Sequence, residues 1–266
     1  MHKKSEIIMT GIVTLSLVPL RTNLAEQSEM CSQLLYGERV EVLETNERWL
    51  RVRNFSDDYI GWADKKMIHI LTEKEEIELA KAEFKPIQVP LHTGRISFDE
   101  QKKILLVGGS LVQFIDGFSY SIDGLSFILD NLLVENETNG ERIIHLAKQY
   151  LNAPYLWGGK SVLGIDCSGL VQVVYRMCSI QLPRDANQQV EHGQTIDFLA
   201  ETRAGDLAFF ENEEGKIIHV GILLSSDKII HASGWVKIDS IDSQGIISSQ
   251  TGEYSHKLRI VKRIIL

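Results

Sequence analysis

Cys167 lies in GIDCSGLVQVVYRMC, between a glycine-containing loop and an apolar-periodic run. That setting predicts a helix starting at or next to the cysteine. The unpaired N–H groups and the dipole at a helix start favour an anion, so they favour thiolate over thiol and suit a nucleophilic sulfur. Ser168 and Gly169 keep the backbone after it uncrowded. The competing role for a cysteine here is that of a small buried hydrophobe. Cys31 and Cys178 take that competing role, Cys178 because it lies near the far end of the same helix. Three widely spaced cysteines cannot make a disulfide framework or paired CxxC metal sites.

A nucleophilic cysteine needs a base, and the base needs a polar group to orient it. His219 in KIIHVGILL and His231 in KIIHASG each sit in an apolar, strand-like run, and SSDK separates the runs as a hairpin turn. The two rings can therefore lie on neighbouring strands and converge. A plain two-residue turn at Ser226-Asp227 does not put them directly opposite, so a bulge or a longer turn is implied. His2, His69, His92, His145, His192 and His256 lack such a context and read as surface or structural. Two histidines and one cysteine are too few ligands to indicate zinc, so no metal and no cofactor is expected.

The elements that position these residues begin near residue 135. ENETNGERIIHLAKQYL carries Ile143, Ile144, Ala147 and Leu151 at helical spacing, and the run after Cys167 places Leu170, Val171, Val174 and Met177 on one side. GDLAFFEN, IIHVGILLSS and KIIHASG then read as antiparallel strands, so the order of helix, helix and strands gives an α+β class. Residues 1–72 read as short strands with turns at Gly37, Asn46-Glu47 and Ser56-Asp57-Asp58, the pattern of a small barrel. Residues 72–84 switch to a charged helical or linker composition. A second strand-rich stretch runs from about 87 to 130, with Gly108-Gly109 as its turn. The expected domains are 1–72, 73–134 and 135–266.

Composition limits the partners. The chain has 266 residues, 28 Lys plus Arg against 36 Asp plus Glu, and a net charge of −8. No basic field is available to hold nucleic acid, an anionic membrane or a wall polymer by charge alone. MHKK before Ile7–Leu20 has the outline of a signal peptide, which would make the protein periplasmic or secreted if residues 1–25 act as one. The run is interrupted by Thr10, Gly11, Thr14 and Ser16, and GIVTLSL alternates as one half-buried strand. A cytoplasmic protein with free thiols is the expectation.

Six motifs occur in order: PYLWGG, DCSGLV, LPRDANQQ, AGDLAFF, HVGILL and IIHASG. Together they resemble the NlpC family of papain-like cell-wall peptidases, over residues 135–266. That resemblance implies Cys167 as nucleophile, His219 as general base and His231 as the residue that orients the imidazole. It implies acyl transfer through a thioester, with the Cys167 N–H as an oxyanion donor. Tyr155 in PYLWGG is a candidate to place its hydroxyl beside the same site. QLLYGERVEVL, WLRVRN and YIGWAD resemble a bacterial SH3-like domain. Two such barrels before a papain-like domain resemble the YkfC-like subgroup, which implies cleavage between γ-D-glutamate and a diamino acid in short murein peptides with a free L-alanine amine.

An ammonium in a closed pocket needs acidic and hydroxyl partners. Asp166 can supply one charge, and Glu38 and Tyr59 match the subgroup's positions for the others. Ser168, Asp185 and Ala186 match further positions lining the site, whereas Arg184 in LPRDA reads as a structural ion pair. A pocket walled on the amine side excludes intact murein, where that nitrogen carries a sugar, and suits peptide recycling. Two other functions fit the same residues: a thiol acyltransferase or broader amidase on this fold, and a non-catalytic wall-binding module.

Overall fold

A computed structural model describes residues 9–96, 99–113, 119–122, 125–128 and 139–265. The chain divides into two compact units. The first holds residues up to 85 with 93–106 and 110–131, and the second holds 86–92, 107–109 and 132–266.

The first unit begins with seven short strands: β1 (Met9–Ile12), β2 (Leu17–Arg21), β3 (Met30–Leu35), β4 (Arg39–Thr45), β5 (Trp49–Asn54), β6 (Ile60–Asp64) and β7 (His69–Ile70). They form one antiparallel sheet in the order β3-β2-β6-β5-β4-β1-β7. Its alternating inward residues, Val18, Leu20, Leu34, Val40, Leu50, Val52 and Ala63, make a core of their own. The run GIVTLSL, expected as one strand, is split between β1 and β2. Val13 leaves the alternation because its N–H and C=O are taken by the turn at Glu38 and Gly37, which buries Ile12 and Val13 together and exposes Leu15. Gly37 has φ +79°, and a Cβ there would lie 1.9 Å from the Leu111 carbonyl oxygen, so only glycine fits this turn.

Thr72 caps α1 (Glu73–Leu79) through a capping box with Glu75. Residues 73–134, expected as a second barrel, then supply β8 (Phe84–Pro86), β9 (Leu91–Ile96), β10 (Asp99–Val107), β11 (Leu111–Gln113), β12 (Ser119–Ile122) and β13 (Leu125–Ile128). These pair as a four-stranded sheet, β10-β9-β13-β12, and a separate pair, β11-β8. Residues 97–98, 114–118, 123–124 and 129–134 of that stretch lie outside the described residues, as do residues 1–8.

In the second unit Asn139 caps α2 (Gly140–Lys148). Ile143, Ile144 and Ala147 are buried as their spacing requires, but the helix ends before Leu151, which is exposed; Leu146 and Tyr150 fill the core in its place. A small hairpin, β14 (Lys160–Ser161) and β15 (Gly164–Ile165), leads into α3 (Cys167–Met177). Every residue of α3 is buried, so its polar side is enclosed as well as its apolar one. After α4 (Ala186–Gln189) come β16 (Gln194–Ile196), β17 (Leu207–Glu211), β18 (Ile217–Ser225), β19 (Lys228–Ser233), β20 (Trp235–Ile241), β21 (Gly245–Ile247) and β22 (Tyr254–Arg263). Strands β17 to β22 are paired in a ring, because β21 bonds to both β20 and β22. Val220, Ile222, Ile230 and Ala232 share the core of α2 and α3, while Ala208, Phe210, Leu223 and Ile229 form a second core on the other face. No described helix is long and apolar enough to cross a membrane.

Candidate active site

The site is assembled where α3 starts. Asp166 is the N-cap, with extended backbone, and its carboxylate accepts from the Gly169 N–H at 2.7 Å and the Gly158 N–H at 2.8 Å. Arg184, fully buried, donates to both Asp166 oxygens at 3.0 and 2.6 Å and to Ser168 Oγ at 2.9 Å. Such a bidentate pair neutralises two charges that could not be buried singly. Gln189 of α4 donates to the carbonyls of Ser168 and Pro183, which ties α4 to the start of α3. Gly169 is required here: a Cβ on it would fall 2.3 Å from the Gly159 carbonyl oxygen.

Cys167 is therefore the first residue of α3, with its own N–H at a position that has no partner within the helix. Its sulfur receives the N–H groups of Val220 and Ser168. Burial nevertheless pushes the thiol up to about 11, and the Asp166 charge adds to the rise; those N–H groups and Arg184 only partly oppose it. The expected thiolate preference of a helix start is thus overridden by desolvation, and the resting sulfur is a thiol. Tyr155, half-buried, is raised to about 12 by burial and then by the charges of Cys167 and Asp166, which places its hydroxyl in the field of the same site.

The bond to Val220 puts the sulfur at β18, one residue along from His219. His219 and His231 lie on strands joined by a two-residue turn, Ser226-Asp227, with an irregularity between Leu223 and Ser225. The expected bulge is present, and the rings sit diagonally rather than opposite. Gly221 lets them meet, since a Cβ there would lie 2.9 Å from that of His231. His219 Nε2 lies 2.8 Å from His231 Nδ1, and His231 Nε2 lies 3.0 Å from Asp239 Oδ2 on β20. A carboxylate can only accept, so His231 carries its proton on Nε2 and accepts on Nδ1. His219 then donates from Nε2, which leaves its Nδ1 lone pair bare.

Burial is the chief reason that His219 sits well below the usual imidazole range, with the charges of His256, His231 and Lys237 adding to it. Burial also raises Asp239, but hydrogen bonds from His231 and Ser249 outweigh it and hold the carboxylate well below its ordinary range. His256 on β22 stacks on His219 with ring centroids 4.1 Å apart.

In the second unit Asp166, Cys167, Ser168 and Tyr155 lie together at the start of α3, and His219 pairs with His231 on the sheet; Asp185 directly precedes α4, and Ala186 is buried at its first position. Glu38 and Tyr59 belong to the first unit. The buried Glu38 carboxylate accepts from the Leu35 N–H at 2.7 Å and from Asn54 at 3.1 Å. Tyr59 packs against that unit's core. Sequence reading missed Asp239 and the placement of His256. A lone acid in the apolar run WVKIDSI, on the strand after the second histidine, was the available signal for Asp239. His256 gave none, because its strand is half-exposed along much of its length.

Residues 152–255 match the NlpC/P60 family, and residues 20–68 match the bacterial dipeptidyl-peptidase SH3 domain. The chain is 29% identical over 229 residues to the gamma-D-glutamyl-L-lysine dipeptidyl-peptidase of Bacillus subtilis (strain 168), covering 80% of this chain and 75% of that one. Dipeptidyl-peptidase 6 of Lysinibacillus sphaericus is 27% identical over 267 residues, covering 89% and 93%. A crystal structure of an NlpC/P60 family protein from Bacillus cereus ATCC 10987 superposes with a TM-score of 0.82 at 19% identity, over 96% of this chain and 99% of that one, and so shares the fold.

Proposed function

We propose that this chain, which carries an NlpC/P60 cysteine-peptidase domain behind a bacterial SH3 domain, hydrolyses the bond between γ-D-glutamate and a diamino acid in free murein peptides that start with an unblocked L-alanine. The observation that carries the chemistry is the hydrogen-bonded series His219–His231–Asp239 on the sheet whose Val220 N–H, one residue along from His219, meets the Cys167 sulfur. Cys167 attacks the amide carbonyl while His219 Nδ1 takes the thiol proton. The Cys167 N–H faces the developing oxyanion. The imidazolium then protonates the leaving amine, and a thioester on Cys167 remains. Water, deprotonated by the same nitrogen, releases the acid and restores the thiol. His231 and Asp239 hold the His219 ring and stabilise its transient charge.

The name of the Bacillus subtilis relative, a gamma-D-glutamyl-L-lysine dipeptidyl-peptidase, supports a γ-D-glutamyl bond. The free amine is the finer part of the reading. Asp166 would supply a charge for the ammonium, and Ser168, Asp185 and Ala186 would line the remainder. The Asp166 charge is already matched by Arg184, so the amine needs a further acid as well. A requirement for a free amine would admit peptides freed by an amidase and exclude intact murein, a recycling role that goes with the expected cytoplasmic compartment. Loss of residues 1–25 from the native chain, read by intact mass, would contradict that compartment.

A mass-spectrometric time course tests the function with L-Ala-γ-D-Glu-diaminopimelate and the same peptide acylated on its alanine nitrogen. Release of the diamino acid from the free peptide alone is expected. Equal cleavage of both would keep the peptidase and remove the amine requirement. Cleavage of neither would leave acyl transfer or wall binding.

A further inference from the structure

The side of His219 that faces β22 carries a third imidazole that the peptidase reading does not use. His219, His231 and His256 come from three different strands, and each offers a ring nitrogen such that all three nitrogens lie within 4.8 Å of one another. We propose that these three histidines form a binding site for a divalent transition cation of the zinc class, and that its occupation switches the peptidase off.

Three features of the geometry support a ligand set. The rings come together from three strands: His231 meets both neighbours edge-on, at 81° and 86°, while His256 stacks on His219 at 23°. The pair already closest, His219 Nε2 and His231 Nδ1 at 2.8 Å, is held by one shared proton. A cation with bonds of roughly 2.0–2.1 Å to tetrahedral nitrogens needs them about 3.3 Å apart. It can replace that proton if this pair opens slightly and His256 moves inward. The third feature is Asp239. It accepts from the far nitrogen of His231, the carboxylate–histidine arrangement that fixes the tautomer and basicity of a metal-bound imidazole.

The ligand type selects the ion. Neutral imidazoles suit zinc, copper and nickel, and they exclude calcium and magnesium, which need oxygen. Lys237 opposes the binding: its ammonium sits 3.4 Å from Asp239 Oδ2 and cancels the carboxylate's charge. A site of three neutral ligands beside a lysine is built for reversible occupation, not for a permanent structural ion. His256 is the most exposed of the three, so the cation enters from its side. Once bound to the Nε2 of His219, it leaves that ring's one proton on Nδ1, the nitrogen that would take the thiol proton, so the base is blocked and every ligand stays neutral.

The binding test uses the full chain, Zn2+ alone and a chromophoric chelator as competitor, without substrate. One Zn2+ per chain is expected. His256→Phe should weaken it at least about tenfold by removing one of three ligands, whereas Cys167→Ala should leave it within about threefold. His256→Gln serves as a second variant, with thermal melting to show that either is folded. No binding by the wild-type chain, unchanged binding in both folded His256 variants, or loss of binding in Cys167→Ala would overturn the site; the last would assign the ion to the cysteine and its neighbouring histidine. The inhibitory role rests on the peptidase reading: turnover of the free peptide should fall with the midpoint of Zn2+ binding and return with chelator. Turnover that is unchanged at full occupancy would overturn the switch and leave the site. A chain that binds Zn2+ but never cleaves peptide would overturn the peptidase reading, and with it the switch, while the site stood.

Discussion

At the scale of residues, the site works with a neutral pair at rest. Desolvation keeps Cys167 as a thiol, raised to about 11, and keeps His219 unprotonated, so the proton moves only when a carbonyl arrives to accept the sulfur. Alkylation of Cys167 by iodoacetamide should therefore accelerate with pH up to and beyond pH 9. A plateau reached below pH 7 would show a preformed thiolate and contradict this. In the proposed mechanism Asp239 acts through His231 on the plane and tautomer of His219, without touching substrate. Asp239→Asn should lower kcat by roughly 10²-fold or more, the scale of general acid–base catalysis, with KM little changed. A rise in KM at constant kcat would instead place Asp239 in substrate binding. The placement of Cys167 at a helix start and of the two histidines on adjacent strands was legible in the sequence, because a helix start and two apolar strands each announce themselves by period. Asp239 was less so, since a single acid in a strand gives no periodic signal. The depressed acidity of Cys167 was not legible at all, because burial is set by the whole fold.

At the scale of elements, α3 and the loop before it form one rigid part. The Asp166–Arg184 pair, the caps on Gly158 and Gly169, and the close pass of Gly159 over Gly169 fix the helix start to which Cys167 belongs. Gly169→Ala must displace the Gly159 carbonyl. It should cost about 1–3 kcal/mol, the usual range for overpacking, and should lower activity further than the loss of stability explains. Urea denaturation with peptide turnover on the folded protein checks both; wild-type values for both would show that the loop yields freely. The strand hairpin shows what sequence can and cannot give. The offset between His219 and His231 required a bulge, and the register confirms one near Leu223–Ser225. The ring formed by β17 to β22 depends on long-range pairing of β21 with β22, and no local pattern carries that closure. The split of GIVTLSL has the same origin, a turn at Gly37 and Glu38 reaching back to Val13.

At the scale of the whole molecule, the motifs of residues 152–255 were the most legible part and the stretch 73–134 the least, because strands without a motif are specified mainly by the partners they find. Acid should reveal the buried histidines. Burial holds His256 down to about 4 and His219 well below 6.5, so the unfolded chain binds more protons than the folded one between pH 6.5 and 4. Stability should be full above about pH 6.5 and fall as pH drops through that window. Chemical denaturation with chelator present, at pH 7.5 and 5, checks it; equal stability at the two values would contradict the burial.

The most direct measurement of the central claim is acid-quenched intact-mass spectrometry of the enzyme mixed with L-Ala-γ-D-Glu-diaminopimelate. An L-Ala-γ-D-Glu thioester should appear on the peptide containing Cys167, decay as free diamino acid accumulates, and be absent in Cys167→Ala, which should not turn over. Cleavage that persists in Cys167→Ala without any adduct would contradict nucleophilic catalysis by this cysteine.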